Sequence, residues 1–165
     1  MGKHETGGDV RGSGKGIDLS RMISTDRIIN LIGTSKHVVI EELVEVLSGS
    51  GLITNREALR RAVLDREAVM STGIGLGVAI PHARIPEVKD FVIAVGRSER
   101  PITFDSFDGG PVFIVIMIAA NTSQQEEYLQ VVTRLVRVLR DAKNRRKLLE
   151  AESPEAVRGI LLGKE

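Results

Sequence analysis

Among the side chains of this sequence that can act as neutral nucleophiles near pH 7, histidine is present three times: His4, His37 and His82. His4 stands in a glycine-rich opening. His37 falls in the first turn of a predicted helix, where a solvated ring is expected. His82 is different: it follows Pro81 at the end of Ser71-Thr72-Gly73-Ile74-Gly75-Leu76-Gly77-Val78-Ala79-Ile80. A zinc site asks for three or four ligands, and with no cysteine and one well-placed histidine that reading is weak. A serine-hydrolase elbow needs Gly-x-Ser-x-Gly, which is absent. Phosphoryl acceptance asks for less, because a neutral imidazole attacks phosphorus without an activating base.

Such a site must also hold the charged oxygens of the group in transfer, with backbone amides, a hydroxyl and a cation. Glycines let backbone come close to those oxygens. Ser71, Thr72, Gly73, Gly75 and Gly77 supply small residues and donors just before His82. Arg66, toward the end of the preceding helix, has the fork geometry for phosphate. Each feature has a plainer reading that the pattern leaves open. A histidine beside proline is more often structural, alternating glycines also mark a bulged or tightly packed strand, and Arg66 also suits pairing with Asp65 or Glu67.

The hydrophobic pattern supplies the elements that must position these residues. Residues 1–16 carry six glycines and read as a flexible tail outside the fold; the ordered domain is expected over 17–165. Thr25–Ile32 is a short apolar segment closed by Gly33. Ser35 caps a helix to about Ser48 with Val39, Leu43, Val46 and Leu47 inward. Thr54-x-x-Glu57 reads as a capping box opening a helix to about Val69, which buries Leu59, Ala62, Val63 and Val69. Phe91–Gly96 and Ile102–Phe104 read as two strands separated by a break. Pro111–Ala119, rich in Val and Ile, reads as a central strand buried on both faces. Ser123-x-x-Glu126 reads as a second capping box, opening a helix to about Arg140 with Leu129, Val132, Leu135, Val136 and Leu139 inward. Lys143–Glu150 and a last helix, capped by Ser153 with Pro154 at its first position, complete the chain. Helices at both ends and strands between predict an α/β fold: a single mixed β-sheet of about five strands flanked by helices on both sides.

Composition narrows the function class. Hydrophobic residues at 42% and charged residues at 27% describe a globular chain. The absence of cysteine suits a reducing compartment, so a cytoplasmic location is expected. No apolar run approaches the roughly 20 residues of a membrane helix, no secretory signal is visible, and no membrane insertion is expected. A net charge of +1 gives no bulk argument for nucleic acid. Arg134, Arg137 and Arg140 lie near one helix face, but no aromatic stacking platform accompanies them, so no nucleic-acid partner is expected.

The stretch Ser71 to Arg84 resembles the active-site signature of enzyme IIA domains of the bacterial phosphotransferase system, in the fructose/mannitol class that includes nitrogen-regulatory proteins. Ile102-x-Phe104-Asp105-x-x-Asp108-Gly109-x-Pro111-Val112 and Glu126-Glu127-Tyr128-Leu129 resemble its second and third stretches. The resemblance runs from about Leu19 to Leu162. It implies a histidine phosphorylated by an HPr-like phosphocarrier, which falls on His82, with the family's arginine on Arg66 and its hydroxyl residue on Thr72. It implies no cofactor. These domains commonly carry a second histidine at the position Tyr128 occupies here. A phenol donates one hydrogen bond but does not become a cation near pH 7.

Two functions follow from the resemblance. One is a phosphocarrier whose partner downstream is a IIB domain or a regulatory target. No IIB or membrane segment is visible in this sequence, so the nitrogen-regulatory type is the expectation, with a homodimer left open. The other is a protein-binding module that keeps the fold and has lost phosphorylation, with Tyr128 as the mark of that loss. The sugar, if any, and the reactive ring nitrogen of His82 are not legible at this level.

Overall fold

The computed structural model describes residues 17–164; the opening 1–16, read above as a tail, lies outside the described residues. After a single 3-10 turn at Leu19–Arg21, the order is β1 (Ile23–Asn30), α1 (Lys36–Ser48), α2 (Arg56–Val69), β2 (Gly73–Gly75), β3 (Val78–Ala79), β4 (His82–Arg84), β5 (Val92–Ile102), β6 (Val112–Ala120), α3 (Gln125–Leu139), α4 (Ala142–Glu150) and α5 (Pro154–Leu161). One mixed sheet forms, in the order β1-β5-β6-β3-β2, and β4 also pairs with β6. β5 runs antiparallel to β6, while β1 is parallel to β5, and β3 and β4 are parallel to β6.

The sheet is α/β with helices on both faces, as the sequence predicts. β6 is its centre because its residues have apolar partners on both sides. Ile114, Ile116, Ile118 and Ala120 face the core that holds Val131, Leu135 and Leu139 of α3, Leu148 of α4, and Val157 and Leu161 of α5. The alternate residues Val115, Met117 and Ala119 face Val39, Leu43 and Leu47 of α1 and Leu59 and Val63 of α2. This two-residue alternation is the strand period, and burial of both faces explains the continuous apolar run.

Several local expectations are corrected. Thr54 does not cap α2: its amide and hydroxyl both donate to the Glu87 carbonyl, at 2.8 and 3.0 Å. Asn55 caps instead, accepting from the Ala58 amide. The Ser123 box also fails to form, because the Ser123 amide and hydroxyl both turn back to Asn121 Oδ1, and α3 starts without a side-chain cap. The expected strands around 91–104 are one strand, β5, with an irregular register against β6 between Arg97 and Ile102. Phe104 lies beyond it, buried in a loop. Val69 and Leu129, expected inward, are exposed, and Val131 takes the buried position in α3. The glycine-rich stretch contributes the short strands β2, β3 and β4, which brings the sheet to six.

Candidate functional site

His82 opens β4, a three-residue strand on the outer side of β6. The β2–β3 hairpin closes when the Ile80 amide donates to the Thr72 carbonyl, at 3.0 Å. Pro81 has no N–H to continue the ladder, but its carbonyl accepts from the Ile118 amide, and the chain rejoins β6. The register is His82 beside Ile118, Ala83 beside Ala119 and Arg84 beside Ala120. Neighbouring residues in register share a face, so His82 and Arg84 stand on the α3 side with Ile118 and Ala120. Ala83 points the other way, into the α1/α2 core.

The His82 ring is half-buried, and its Nδ1 lies 3.1 Å from the Ile80 carbonyl. A carbonyl only accepts, so this contact is a hydrogen bond with the proton on Nδ1. In the neutral ring the lone pair is then on Nε2. Burial lowers the pKa of His82 below its ordinary value of 6.5; the hydrogen bond to the Ile80 carbonyl opposes it, the positive charges of Arg66 and Arg84 add smaller effects in the lowering direction, and Glu67 opposes them weakly. The Tyr128 ring, from the first turns of α3, packs against the imidazole with centroids 4.8 Å apart and planes tilted by 37°. Burial raises the phenol pKa, so it stays neutral. Arg84 approaches the same ring, its guanidinium carbon 5.7 Å from the centroid. Arg66, on the last turn of α2, donates from Nη1 to the Met70 carbonyl at 2.9 Å.

The other residues marked from sequence form the wall behind this cluster. The Thr72 hydroxyl donates to Glu67 at 2.6 Å, and the Thr72 amide donates to the same carboxylate at 2.9 Å. The Ser71 hydroxyl donates to the Phe104 carbonyl and accepts from the Gly73 amide. Gly73 leaves no room for a side chain, since a Cβ there would sit 2.4 Å from Ser106 Oγ. Gly75, Leu76 and Gly77 turn the hairpin with positive φ, a conformation that suits glycine. The Leu76 amide is fixed by Asp108 at 3.2 Å. Tyr128 is thus packed on His82 and the charge of Arg66 acts on both rings, while Ser71, Gly73 and Gly75 shape the hairpin.

Sequence reading missed three charged residues. Glu67 was open only to a helix-face role, yet it is buried and ion-paired with Lys36 Nζ at 3.1 Å. Lys36 gave no signal at all. Arg84 carried one: it lies two residues after His82, the spacing that shares a strand face.

No described helix is long and apolar enough to cross a membrane. Residues 22–164 match the family model for the phosphoenolpyruvate-dependent sugar phosphotransferase system, EIIA 2. The chain is 41% identical over 133 residues to the fructose-specific EIIABC component of Bacillus subtilis, covering 81% of this chain but only 21% of that longer protein. Nitrogen regulatory protein IIA-Ntr from Neisseria meningitidis has the same fold, with a TM-score of 0.81 and 30% identity over 87% of this chain and 98% of that one. The mannitol IIA domain of Escherichia coli, solved in complex with phosphorylated IIB, matches in fold at a TM-score of 0.75 and 24% identity over 86% and 97% of the two chains. With the family model spanning nearly the whole described structure, the chain belongs to the type-2 EIIA family of the phosphotransferase system, the phosphocarrier domains of the fructose/mannitol class.

Proposed function

We propose that this domain, residues 17–165, is a cytoplasmic phosphocarrier that accepts a phosphoryl group on Nε2 of His82. The donor is an HPr-like protein carrying a phosphohistidine. The recipient is a IIB domain or, in the nitrogen-regulatory manner, a target protein that reads the phosphorylation state. The observation that carries this reading is the Nδ1–H bond to the Ile80 carbonyl, which leaves the lone pair on Nε2 of a ring kept neutral by burial.

The transfer balances without a proton shuttle. The N–P bond of the donor's protonated phosphohistidine breaks, and its electron pair returns to the donor ring, which leaves as neutral imidazole. The new Nε2–P bond makes the His82 ring an imidazolium, whose Nδ1 keeps its proton and its hydrogen bond to the Ile80 carbonyl. Arg66 clamps the phosphoryl oxygens with the N–H groups not given to Met70. Tyr128 offers its hydroxyl to the same oxygens. Thr72, Ser71, Gly73 and Gly75 form the small-residue wall that lets the group approach. Met70, Phe107 and Leu129 are exposed on segments bordering the hairpin and the start of α3.

Incubation with phosphoenolpyruvate, enzyme I and a cognate HPr tests the proposal. The expected result is one acid-labile phosphoryl group, absent from His82→Ala. No incorporation from a donor shown to be active on another IIA domain favours the binding module, a reading supported by the neutral Tyr128 and by the engagement of Thr72 with Glu67.

A further inference from the structure

We propose that Arg84 is the second cation of the phosphoryl pocket, held in place by the Tyr128 ring. The inference rests on the phosphocarrier reading of His82 and extends it to a residue that closes the signature stretch but was given no role from sequence.

The argument begins with the strand. His82 and Arg84 are two apart on β4 and share the face toward α3, as their partners Ile118 and Ala120 do. One aromatic ring then touches both: Tyr128 packs on the His82 imidazole at 4.8 Å and carries the Arg84 guanidinium at 5.7 Å. A guanidinium over an aromatic face is favoured by the ring quadrupole, so Tyr128 restricts a long, exposed side chain to the neighbourhood of His82. Among the described residues no carboxylate pairs with Arg84, nor with Arg66. The guanidinium therefore keeps its donors for an incoming anion. Its charge already reaches both rings, favouring neutral imidazole and opposing the neutral phenol.

The chemistry needs such a group. A phosphoryl group in transfer spreads charge over its equatorial oxygens, and a neutral phenol cannot neutralise it. Arg66 approaches from the end of α2 with one amino group already given to Met70. Arg84 approaches from β4. The two arginines contact the oxygens while Nε2 attacks, and Tyr128 serves as platform for the second.

The test uses two donors on the full chain and on Arg84→Gln, Arg84→Lys and Tyr128→Leu. One donor is the phosphorylated HPr-like protein; the other is phosphoramidate, which phosphorylates histidine without a protein partner. With both donors, uptake by Arg84→Gln is expected to fall about tenfold to a hundredfold, as for one lost charge-assisted hydrogen bond. Arg84→Lys recovers part of the rate, Tyr128→Leu falls with Arg84→Gln, and urea midpoints stay close to the parent. The His82 pKa, followed by NMR, rises in Arg84→Gln. If Arg84→Gln matches the parent with both donors, the Arg84 role is overturned and the phosphocarrier reading stands. If the parent is inert to the phosphorylated protein but reacts with phosphoramidate in an Arg84-dependent way, the carrier reading falls and the Arg84 pocket stands. Failure of both donors to label His82 overturns both.

Discussion

Glu67 grips Thr72 twice, its two carboxylate oxygens accepting the Thr72 amide at 2.9 Å and the Thr72 hydroxyl at 2.6 Å. The pair joins the last turns of α2 to the start of the hairpin that ends at His82. Lys36, at the start of α1, neutralises the same carboxylate, its Nζ lying 3.1 Å from the oxygen that accepts the Thr72 amide, and also approaches Asp105 at 3.6 Å. Lys36 further lies 5.1 Å from the centre of the Phe104 ring. Three segments distant in sequence are thereby tied at one buried charge, directly behind the candidate site.

Breaking this tie is expected to destabilise the fold. Lys36→Met leaves the Glu67 carboxylate buried without its cation, and Glu67→Ala leaves two Thr72 donors unsatisfied. Each buried polar group left unpaired costs about 1–3 kcal/mol, so both variants should lower the urea midpoint with little change in the slope of the transition. A midpoint unchanged in Lys36→Met would show that the ion pair contributes nothing.

Arg66→Ala separates clamping from folding. Arg66 gives up one hydrogen bond to the Met70 carbonyl at the exposed end of α2, worth about 1 kcal/mol or less. On the proposed reading of Arg66 as a phosphoryl clamp, its removal is expected to cut the phosphorylation rate about tenfold or more, as for a charge-assisted bond of roughly 1.5–3 kcal/mol. Denaturation and single-turnover phosphorylation measure the two effects side by side. Unchanged kinetics would remove Arg66 from the site.

The pH dependence follows from the depressed pKa of His82. As pH falls to 6.5 the folded ring is still mostly neutral, so phosphoryl acceptance should persist there and decline only as the lower folded pKa is passed. In the unfolded chain the ring protonates near 6.5. Between these two values the unfolded state binds more protons, so stability falls as pH falls through that window. His82→Asn should remove that part of the slope. An NMR titration of His82 with a midpoint at or above 6.5 would contradict this.

Gly73→Ala tests the hairpin. A Cβ at residue 73 would lie 2.9 Å from the Ser106 Cα as well as 2.4 Å from its Oγ, so the backbone must move. Overpacking of this kind costs about 1–3 kcal/mol. The displacement should carry to His82, because the Thr72 carbonyl holds the Ile80 amide and Ile80 in turn holds Nδ1. A lowered melting temperature together with a shifted His82 imidazole resonance is the expected pair of results.

Much of this architecture is legible along the chain, where the governing interactions are local. Ser35 and Ser153 cap α1 and α5 as read, each accepting from the amide three residues on. The continuous apolar run of β6, rich in Val and Ile, places it centrally in the sheet without reference to any distant element. His82 stands out because its neighbours Pro81 and the glycines are unusual in sequence and adjacent to it. The misreadings of Thr54, Val69 and Leu129 share one cause, the influence of parts of the chain beyond the local pattern. Thr54 matches a capping box, but Glu87, 33 residues away, offers it a better partner. Val69 and Leu129 fit an inward helical period, but the neighbouring elements do not cover them.

The amino-acid sequence alone determined the class of fold, the helix caps at α1 and α5, and the imidazole on which a phosphoryl site would centre. Only the folded chain decided which nitrogen of that imidazole is free, that Lys36 and Glu67 meet behind it, and that Tyr128 joins it to Arg84. Capping and periodicity act within a turn or two of chain. The pocket is instead made where β4 meets β6 and α3 crosses their face, and register and helix docking exist only once the whole sheet is assembled.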